Sequence, residues 1–311
     1  MKTNSRIFWK KIYNTCILLR LERVVYIIEK EGNLFMNPKI SVIMGIYNCA
    51  DTLDEALVSL LNQTYQDFEV IMCDDGSSDN TIEIARKYVN NFPSKFFLIS
   101  NDINLGLGKT LNRCLRLANG EYIARMDGDD ISVENRFFIE LSFLENHRDY
   151  DIVSCSMILF DETGDWAQTR KPIESPNIID FVKHTPVHCH APCMIRKNAL
   201  INVGGYTEDK RLLRYEDCNL WYKLYAAGYR GYNLSKPLYK MRDDNNAYRR
   251  RTFESRLRAV YVQWTGFRII HMPIKYYPYL IVEFLKSVLL AIIPSSIYNK
   301  LRKRKLDNKS D

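Results

Sequence analysis

The sequence predicts an α/β protein built around a mostly parallel, doubly wound sheet. Short β-rich runs alternate with segments of helical periodicity from residue 37 onward, and the loops between them are short. Acidic residues follow several of the strand-like runs. Because open α/β folds bind ligands at the carboxyl edge of the sheet, these acidic residues predict a binding site there.

The regular alternation covers the first half of the chain. Strands are predicted at 39–46, 68–73, 96–100, 122–126 and 151–156, and helices at 51–61, 79–88, 107–118 and 134–145. Asp51 and Asp79 stand where helix N-caps are expected. Residues 160–190 contain three prolines and are expected to be partly loop, and residues 216–227 fit a further helix.

Charge is distributed unevenly along the 311 residues, whose formal net charge is +7. Residues 1–36 carry +4 and residues 249–311 carry +10, which leaves −7 on residues 37–248. An acidic centre argues against nucleic acid as a partner, whereas basic ends with apolar neighbours favour an anionic lipid surface. We therefore expect a basic N-terminal extension (1–36), a catalytic domain (37–248) and a basic, apolar tail (249–311).

Both extensions are expected to be helical and to associate with a membrane. Residues 6–30 have the periodicity of a basic amphipathic helix. Residues 276–293 are strongly apolar but include Glu283 and Lys286, which share one helical face. Because a span needs about 20 mainly apolar residues, an in-plane helix is favoured over a spanning or an ordinary buried one.

The cellular location follows from the tail and the cysteines. The eight cysteines form no regular framework, which is typical of reduced thiols in the cytosol, and no convincing secretory signal precedes them. The basic run at 302–305 favours the cytoplasmic side of a membrane. The chain is therefore expected in the cytoplasm, held peripherally at the inner face of the plasma membrane.

Acidic residues at four places along the chain predict chemistry at a diphosphate: Asp51, Asp74-Asp75, 127–130 and Glu216-Asp217. The third cluster directly follows the apolar run 122–126. Carboxylates two apart in a turn can share a hard divalent cation, and without one they repel one another. A solvated acidic turn would have the same composition, and Asp74-Asp75 also fits ordinary turn chemistry.

The order and spacing of seven motifs resemble the inverting glycosyltransferase family 2, whose catalytic domain has the GT-A fold. The motifs are 41–48 (SVIMGIYN), 61–64 (LNQT), 73–81 (CDDGSSDNT), 104–107 (NLGL), 126–130 (MDGDD), 204–206 (GGY) and 215–221 (YEDCNLW). The resemblance extends over residues 39–242 and leaves both ends outside it. Gln263-Trp264 does not fit the signature of processive family members, which favours transfer of a single sugar.

The resemblance implies where the donor and the cation bind. It places Ile46, Tyr47 and Asn48 around the nucleobase. It makes Asp75 the residue that reads the base, with Asp74 beside it in support.

In the same resemblance, Asp127 faces the ribose hydroxyls and contributes to the metal site. Asp129 ligates the Mn²⁺ or Mg²⁺ that bridges the diphosphate. Asp130 is expected to cap a helix or to support its neighbours.

The resemblance also implies a catalytic pair, with Asp217 as the base that takes the acceptor proton. Glu216 is expected to orient Asp217 or to contact the acceptor. The alternative is a purely structural role, in which both residues only stabilise the N-terminus of a helix.

Two further residues are candidates for the donor diphosphate. His190 is expected to donate a hydrogen bond there, and Arg242 suits bidentate phosphate recognition, although a surface charge is an alternative. The crowding of His188, Cys189, His190 and Cys193 could suggest zinc, but it lacks the separated ligand pairs of structural zinc sites. The segment 106–110 (GLGKT) is not a phosphate loop, because Ile103 stands where its first glycine is required.

The sequence therefore predicts a metal-dependent, inverting glycosyltransferase. It would move one sugar from a nucleotide-diphosphate sugar, with UDP expected as the nucleotide, to a lipid-linked or cell-surface polysaccharide acceptor. Two alternatives stay open: a nucleotide-sugar-binding protein without turnover, and a phosphatase of the haloacid-dehalogenase type. The identity of the sugar, the linkage and the oligomeric state follow from no pattern in the sequence.

Overall fold

The structure is a computed structural model that describes residues 37–169, 171–243 and 253–292. Three features predicted from the sequence lie outside these residues: the N-terminal extension 1–36 with its helix, the boundary at 248 and the basic run 302–305.

The alternating elements begin immediately after residue 39. The strands are β1 Ile40–Ile46, β2 Phe68–Asp74, β3 Phe96–Ser100, β4 Tyr122–Asp127, β5 Ile131–Ser132, β6 Ile152–Asp161, β7 Gly164–Gln168, β8 Met194–Arg196 and β9 Gly231–Arg242. The helices are α1 Ala50–Leu61, α2 Thr81–Asn91, α3 Leu107–Leu117, α4 Arg136–Asn146, α5 Lys197–Asn202, α6 Glu216–Ala226, α7 Phe253–Ile269 and α8 Pro278–Ile292.

The strands form one sheet in the order β3-β2-β1-β4-β8-β6-β9-β5, with β7 paired to β6. The first four strands are mutually parallel, and β6 and β9 are also parallel. Strand β8 runs antiparallel to both β4 and β6 and so joins the two parallel parts. The predicted α/β fold with its mostly parallel sheet is confirmed, and β5, β7 and β8 are short antiparallel additions.

The central strand β1 is covered on both faces, which explains its nearly uninterrupted apolar sequence. Val42 and Met44 belong to one hydrophobic cluster, which includes residues of α1 and α4. Ile43 belongs to a second cluster, which includes residues of α3 and α6. Successive side chains of a strand point to opposite faces, so the two clusters lie on opposite sides of the sheet.

Two N-terminal helix boundaries differ from those predicted. Helix α1 begins at Ala50 and α2 at Thr81, so that neither Asp51 nor Asp79 is the N-cap residue. The Asp79 carboxylate nevertheless satisfies both helix starts, since it accepts hydrogen bonds from the amides of Thr81 (3.0 Å) and Ala50 (3.1 Å). This shared partner fixes the loop after β1 against the loop after β2.

The first helix of the C-terminal region is part of the second core cluster. Val262 and Phe267 of α7 are buried there with Trp221 of α6. A Cβ atom at Gly266 would lie 2.2 Å from the ring of Tyr222, so only a glycine allows this close approach of α7 to α6.

Helix α8 packs on this region through one narrow face. Leu280 is buried, whereas Ile281, Leu285 and Leu289 are 63%, 55% and 64% exposed. Glu283 and Lys286 form an ion pair of 3.0 Å between Oε1 and Nζ. None of the helices in the described ranges combines the length and the apolar character needed to cross a membrane.

Candidate active site

The carboxyl ends of three parallel strands meet at one edge of the sheet. Ile46 lies opposite Asp74 in the β1–β2 pair, and Gly45 lies opposite Asp127 in the β1–β4 pair. The acidic ends of β2 and β4 therefore flank the end of β1. A cleft of about 500 Å³ opens there, lined by Gly45, Tyr47, Asn48, Cys49, Asp51, Thr52, Asp127, Gly128 and Asp129.

The loop after β1 forms one wall of this cleft. Asn48 has a left-handed φ of 46°, a conformation that asparagine tolerates better than most residues. Its side-chain Oδ1 accepts a hydrogen bond from the Ser78 amide (2.8 Å), and its own amide donates to Ser77 Oγ (2.9 Å). Tyr47 is half-exposed beside it. The Ile46 side chain is buried, and its carbonyl oxygen accepts from the Asp75 amide at 2.9 Å.

Asp74 is fully buried and shapes the turn that follows β2. Its Oδ2 atom accepts hydrogen bonds from the amides of Gly76 (3.1 Å) and Ser77 (3.0 Å). The predicted turn chemistry is therefore present at Asp74.

The Asp75 carboxylate is held by the loop that follows β3. Oδ1 accepts hydrogen bonds from Asn101 Nδ2 (2.7 Å) and from the Leu105 amide (2.8 Å), and Oδ2 accepts from the Gly106 amide (2.9 Å). Gly106 has a φ of 89°, which favours glycine. The glycine-rich segment that superficially resembles a phosphate loop thus positions a carboxylate.

Three carboxylates crowd together after β4. Ligand atoms of Asp127, Asp129 and Asp130 all lie within 4.8 Å of one another. Burial, followed by the negative charges of Asp127 and Asp129, raises the pKa of Asp130 well above its usual range. Its Oδ1 atom accepts a hydrogen bond from the Arg242 amide at 2.8 Å. An all-oxygen set of this size fits a hard cation such as Mg²⁺ or Mn²⁺.

Arg242 lies directly beside this cluster, at the end of β9. Its Nε atom donates to the carbonyl oxygen of Asp129 (3.0 Å), and Nη2 donates to Glu55 Oε2 (2.6 Å). The guanidinium lies over the ring of Phe160, 4.5 Å from the ring centroid. Arg242 thus braces the acidic turn from the side of β9.

Arg125 forms a bidentate ion pair with Asp127. Nη1 donates to Oδ2 at 2.5 Å, and Nη2 donates to Oδ1. The Arg125 side chain is only 6% exposed. The pair therefore fixes the orientation of the Asp127 carboxylate at the edge of the cleft.

The acidic pair of the last motif opens helix α6. Glu216 is buried close to the start of α3, since a Cβ atom at Gly108 would lie 3.2 Å from Glu216 Cγ. Burial raises the pKa of both Glu216 and Asp217, and the positive charge of Arg125 opposes that shift for each. Arg125 thus forms an ion pair with Asp127 and is also within electrostatic reach of Glu216 and Asp217 on α6.

His190 is partly buried between α6 and the loop that bears Tyr206. Its Nε2 atom lies 2.7 Å from the Tyr206 hydroxyl, and its ring meets Trp221 edge-on with the centroids 6.0 Å apart. Burial, assisted by the charge of Arg125, lowers the pKa of His190 well below its usual range. The imidazole is therefore neutral at pH 7.

His188, the other histidine of the segment 188–190, is held by two side chains of the protein. His188 Nδ1 lies 2.7 Å from Asn233 Oδ1, and Nε2 lies 2.9 Å from the Tyr225 hydroxyl. Among the described residues, the clustered side chains that could hold a metal are the three aspartates after β4. The His188 and His190 rings thus have side-chain partners that account for them without zinc.

Sequence reasoning missed four residues of this site. Asn101 donates a hydrogen bond to Asp75, and Tyr206 contacts His190. The Tyr239 hydroxyl accepts a hydrogen bond from the Asp127 amide at 3.2 Å, and Arg125 forms an ion pair with Asp127. The one usable signal was Arg125, a lone charge inside an apolar strand. The others approach from distant parts of the chain.

The chain belongs to glycosyltransferase family 2, since residues 41–204 match the model described as "Glycosyl transferase family 2". It is therefore a transferase that moves a glycosyl group. A protein of Bacillus subtilis (strain 168) named as the glycosyltransferase EpsE is 38% identical over 275 residues, which are 88% of this chain and 96% of that protein. The UDP-Gal:alpha-D-GlcNAc-diphosphoundecaprenol beta-1,3-galactosyltransferase of Escherichia coli is 30% identical over 279 residues, 86% of this chain and 98% of that protein.

Solved structures show the same fold. The S. aureus TarS 1-349 complex with UDP superposes with a TM-score of 0.58 at 23% identity, covering 75% of this chain and 69% of that one. The mannosyltransferase PcManGT from Pyrobaculum calidifontis, in complex with GDP-Man and Mn²⁺, has a TM-score of 0.57 at 17% identity and covers 88% of this chain and 83% of its own. At these identities the likeness establishes the GT-A fold alone.

The environment of His190 generates a spectroscopic prediction. We expect its imidazole to remain neutral, with no titration between about pH 5 and pH 8, because burial and Arg125 both disfavour the imidazolium. Long-range ¹H–¹⁵N correlation spectra recorded across that range measure it, with a His190→Asn variant to assign the signal. A His190 midpoint inside the range would contradict the described packing.

Proposed function

We propose that the protein is an inverting, cation-dependent glycosyltransferase that moves one sugar from a UDP-sugar to a lipid-linked glycan acceptor. The observation that carries the proposal is the Asp127–Asp129–Asp130 cluster at the strand edge. Arg125 links that cluster electrostatically to the Glu216–Asp217 pair, of which Glu216 is buried. The proposed donor side and the proposed acceptor side would thus both lie within electrostatic reach of one guanidinium.

The hydrogen bonds of Asp75 favour uracil as the base. Each carboxylate oxygen offers about two acceptor positions. Among the described residues, Oδ1 already accepts from Asn101 and Leu105, and Oδ2 accepts from Gly106. The one position left on Oδ2 suits the single imide N–H of uracil. Guanine presents two adjacent N–H groups, which need both oxygens. Tyr47 and Asn48 would hold the base from the facing loop, with Ile46 supporting them through its backbone.

The cation is assigned to Asp129 together with Asp127. A bound Mn²⁺ or Mg²⁺ would stabilise the negative charge that develops on the departing diphosphate. Asp127 would in addition contact the ribose, and the Arg125 pair already holds it in one orientation. The solved structure of PcManGT, which contains GDP-Man and Mn²⁺, supports a cation in this fold.

Asp217 is proposed as the catalytic base. Inversion requires that the acceptor hydroxyl lose its proton as it attacks from the side opposite the diphosphate, and a positioned carboxylate can take it. The raised pKa of Asp217, caused mainly by burial, makes it a stronger base than a solvated aspartate while Arg125 limits the rise. Glu216 lies beside it and would orient Asp217 or contact the acceptor.

His190 and Arg242 are proposed to act at the diphosphate through the surrounding structure. Neutral His190 shares a hydrogen bond with Tyr206 and would present a polar edge to the site. Arg242 reaches the carbonyl oxygen of Asp129 in this structure, so its effect on the phosphates would pass through the metal-binding turn.

The acceptor is proposed to be lipid-linked and to reach the enzyme at a membrane surface. The E. coli relative is named for a diphosphoundecaprenol acceptor. Helix α8 exposes an apolar stripe formed by Ile281, Val282, Leu285 and Leu289, opposite its buried Leu280. Lys275 and Lys286 are close to these residues in the sequence, and a basic tail follows. We propose that α8 lies in the plane of an anionic bilayer at the cytoplasmic face.

The two alternative functions have less support. A phosphatase would need Asp127 as a nucleophile, yet both its carboxylate oxygens are paired with Arg125. Membership of the glycosyltransferase family also favours the transferase. A binding protein without turnover would have no use for the carboxylate pair at α6.

Substitutions at the two halves of the site test the proposed reaction. With Mn²⁺ and a panel of UDP- and GDP-sugars, we expect UDP release to be stimulated by polyprenyl-diphosphate-linked sugar acceptors. Asp217→Asn should lower transfer by roughly 10²–10⁴-fold while UDP binding persists, because only the base is removed. Asp129→Asn should abolish the Mn²⁺ dependence of donor binding.

Asp149→Asn is the matched control, since Asp149 is an exposed aspartate on the turn before β6. It should behave as the unsubstituted protein. Transfer at the normal rate by Asp217→Asn, or release from GDP-sugars but not from UDP-sugars, would contradict the proposal.

A vesicle-binding experiment tests the apolar stripe of α8. Replacing Ile281, Leu285 and Leu289 together with serine should weaken cosedimentation with phosphatidylglycerol-containing vesicles by about 10- to 100-fold, since burial contributes about 25 cal/mol per Å² of apolar surface. The control replaces the exposed Phe138 and Ile201 with serine. Equal loss in both variants, or no loss in the triple variant, would refute an in-plane α8.

A further inference from the structure

Arg125 is a buried charge among the apolar residues of β4, the strand that ends at Asp127. In β4, Tyr122, Ala124 and Met126 belong to one hydrophobic cluster, while Ile123 belongs to the cluster on the opposite face of the sheet. Arg125 alternates with the first set and so projects to the face of Ile123, toward α3 and α6. Its position on the strand thus places the Arg125 side chain on the side of the sheet that is covered by α6, the helix of Glu216 and Asp217.

On the donor side, Arg125 contacts Asp127 through two nitrogens. The third guanidinium nitrogen, Nε, is buried and has no hydrogen-bond partner within the part of the chain that the structure describes. A guanidinium that served the core alone would be expected to have all of its donors satisfied, because a buried charge is costly unless it is fully paired. An apolar side chain of similar size would fill this place without that cost.

On the acceptor side, the segment that pairs with β4 contacts α6, the helix that bears Asp217. The Arg125 amide donates to the carbonyl oxygen of Cys193 (3.0 Å), in the segment that bears His190. His190 meets Trp221, which lies one helical turn after Asp217 on α6. The face of α6 that bears Asp217 therefore lies toward the segment that contains His190 and Cys193.

Among the described residues, six titratable or charged groups lie within electrostatic reach of Asp217. Glu216 and Cys218 neighbour it on α6, while Arg125, Cys189, Cys193 and Tyr206 approach from β4, from the segment before β8 and from the loop before α6. Among the described residues of this set, Arg125 is the cation. The others are neutral or negative groups.

We propose that Arg125 is a positioning residue that serves both halves of the reaction. Its bidentate geometry fixes Asp127 for the donor, and its positive charge keeps Asp217 ionised for the acceptor. This inference rests on the proposed function of Asp217 and adds the residue that couples the base to the donor site.

Two substitutions separate geometry from charge. Arg125→Lys keeps a positive charge but loses the planar fork, whereas Arg125→Met loses both. We expect the donor KM to rise about tenfold or more in both variants, because both release Asp127. The acid limb of the pH profile for kcat should move upward by about one pH unit in Arg125→Met and by much less in Arg125→Lys.

Arg196→Met is the matched control. Arg196 is a partly buried arginine of β8 whose guanidinium donates to the Tyr122 hydroxyl and to the carbonyl oxygens of Leu144 and Tyr150. Its loss should lower thermal stability without moving the donor KM or the acid limb. Thermal denaturation of every variant measures the folded fraction, to which kcat is normalised.

The outcomes distinguish this inference from the proposed function. If both Arg125 variants keep the donor KM and the acid limb of the unsubstituted protein, and lose only folded enzyme, the inference is overturned. If Arg125→Met does not fold, the donor KM of Arg125→Lys decides, and an unchanged value overturns the inference. Normal transfer by Asp217→Asn would instead overturn the assignment of the base.

Discussion

The structure depends on the electrostatic compensation of carboxylates gathered where parallel strands end. Three aspartates after β4 bring their oxygens within 4.8 Å of one another. Like charges at this spacing raise one another's pKa and oppose folding unless they are neutralised. Arg125 neutralises Asp127, the Arg242 amide binds Asp130, and burial with its neighbours' charges raises the pKa of Asp130. The remaining negative charge suits a divalent cation, which would in turn hold the negatively charged diphosphate.

The loops around this cluster are held by hydrogen bonds to other carboxylates. Asp75 anchors the loop after β3, Asp74 closes its own turn, and Asp79 joins the starts of α1 and α2. Charge-assisted bonds from backbone amides are stronger than neutral ones, so these loops are fixed before a ligand arrives. A site fixed in advance loses less conformational freedom on binding.

How far the sequence predicts the molecule depends on how local the interactions are. The strand–helix alternation up to β6 follows from periodicity and turn residues, so those elements are predicted with ends displaced by a few residues, except the two-residue strand β5, which is not predicted. Strand β9 pairs with β6, about 80 residues earlier, and β8 lies antiparallel between β4 and β6. No local pattern encodes such pairings. Gly266 looks like a poor helix residue until Tyr222 is placed against it.

The same distinction applies to the site. The motif aspartates could be named because each follows a strand or opens a helix, whereas the partners that orient them come from elsewhere in the chain. Asn101 and Tyr239 illustrate this, since each meets its carboxylate only in the folded sheet. Helix α8 was predicted from its apolar run, but the face that packs and the face that is exposed depend on α7.

Binding of Mn²⁺ in the presence of UDP tests the central claim most directly. Electron paramagnetic resonance measures the free ion, and the account predicts that its signal is lost when protein and UDP are added together and persists with Asp129→Asn. Loss of the signal to the same extent with Asp129→Asn, or an unchanged signal with the unsubstituted protein, would contradict the claim that this acidic edge binds a cation and a diphosphate.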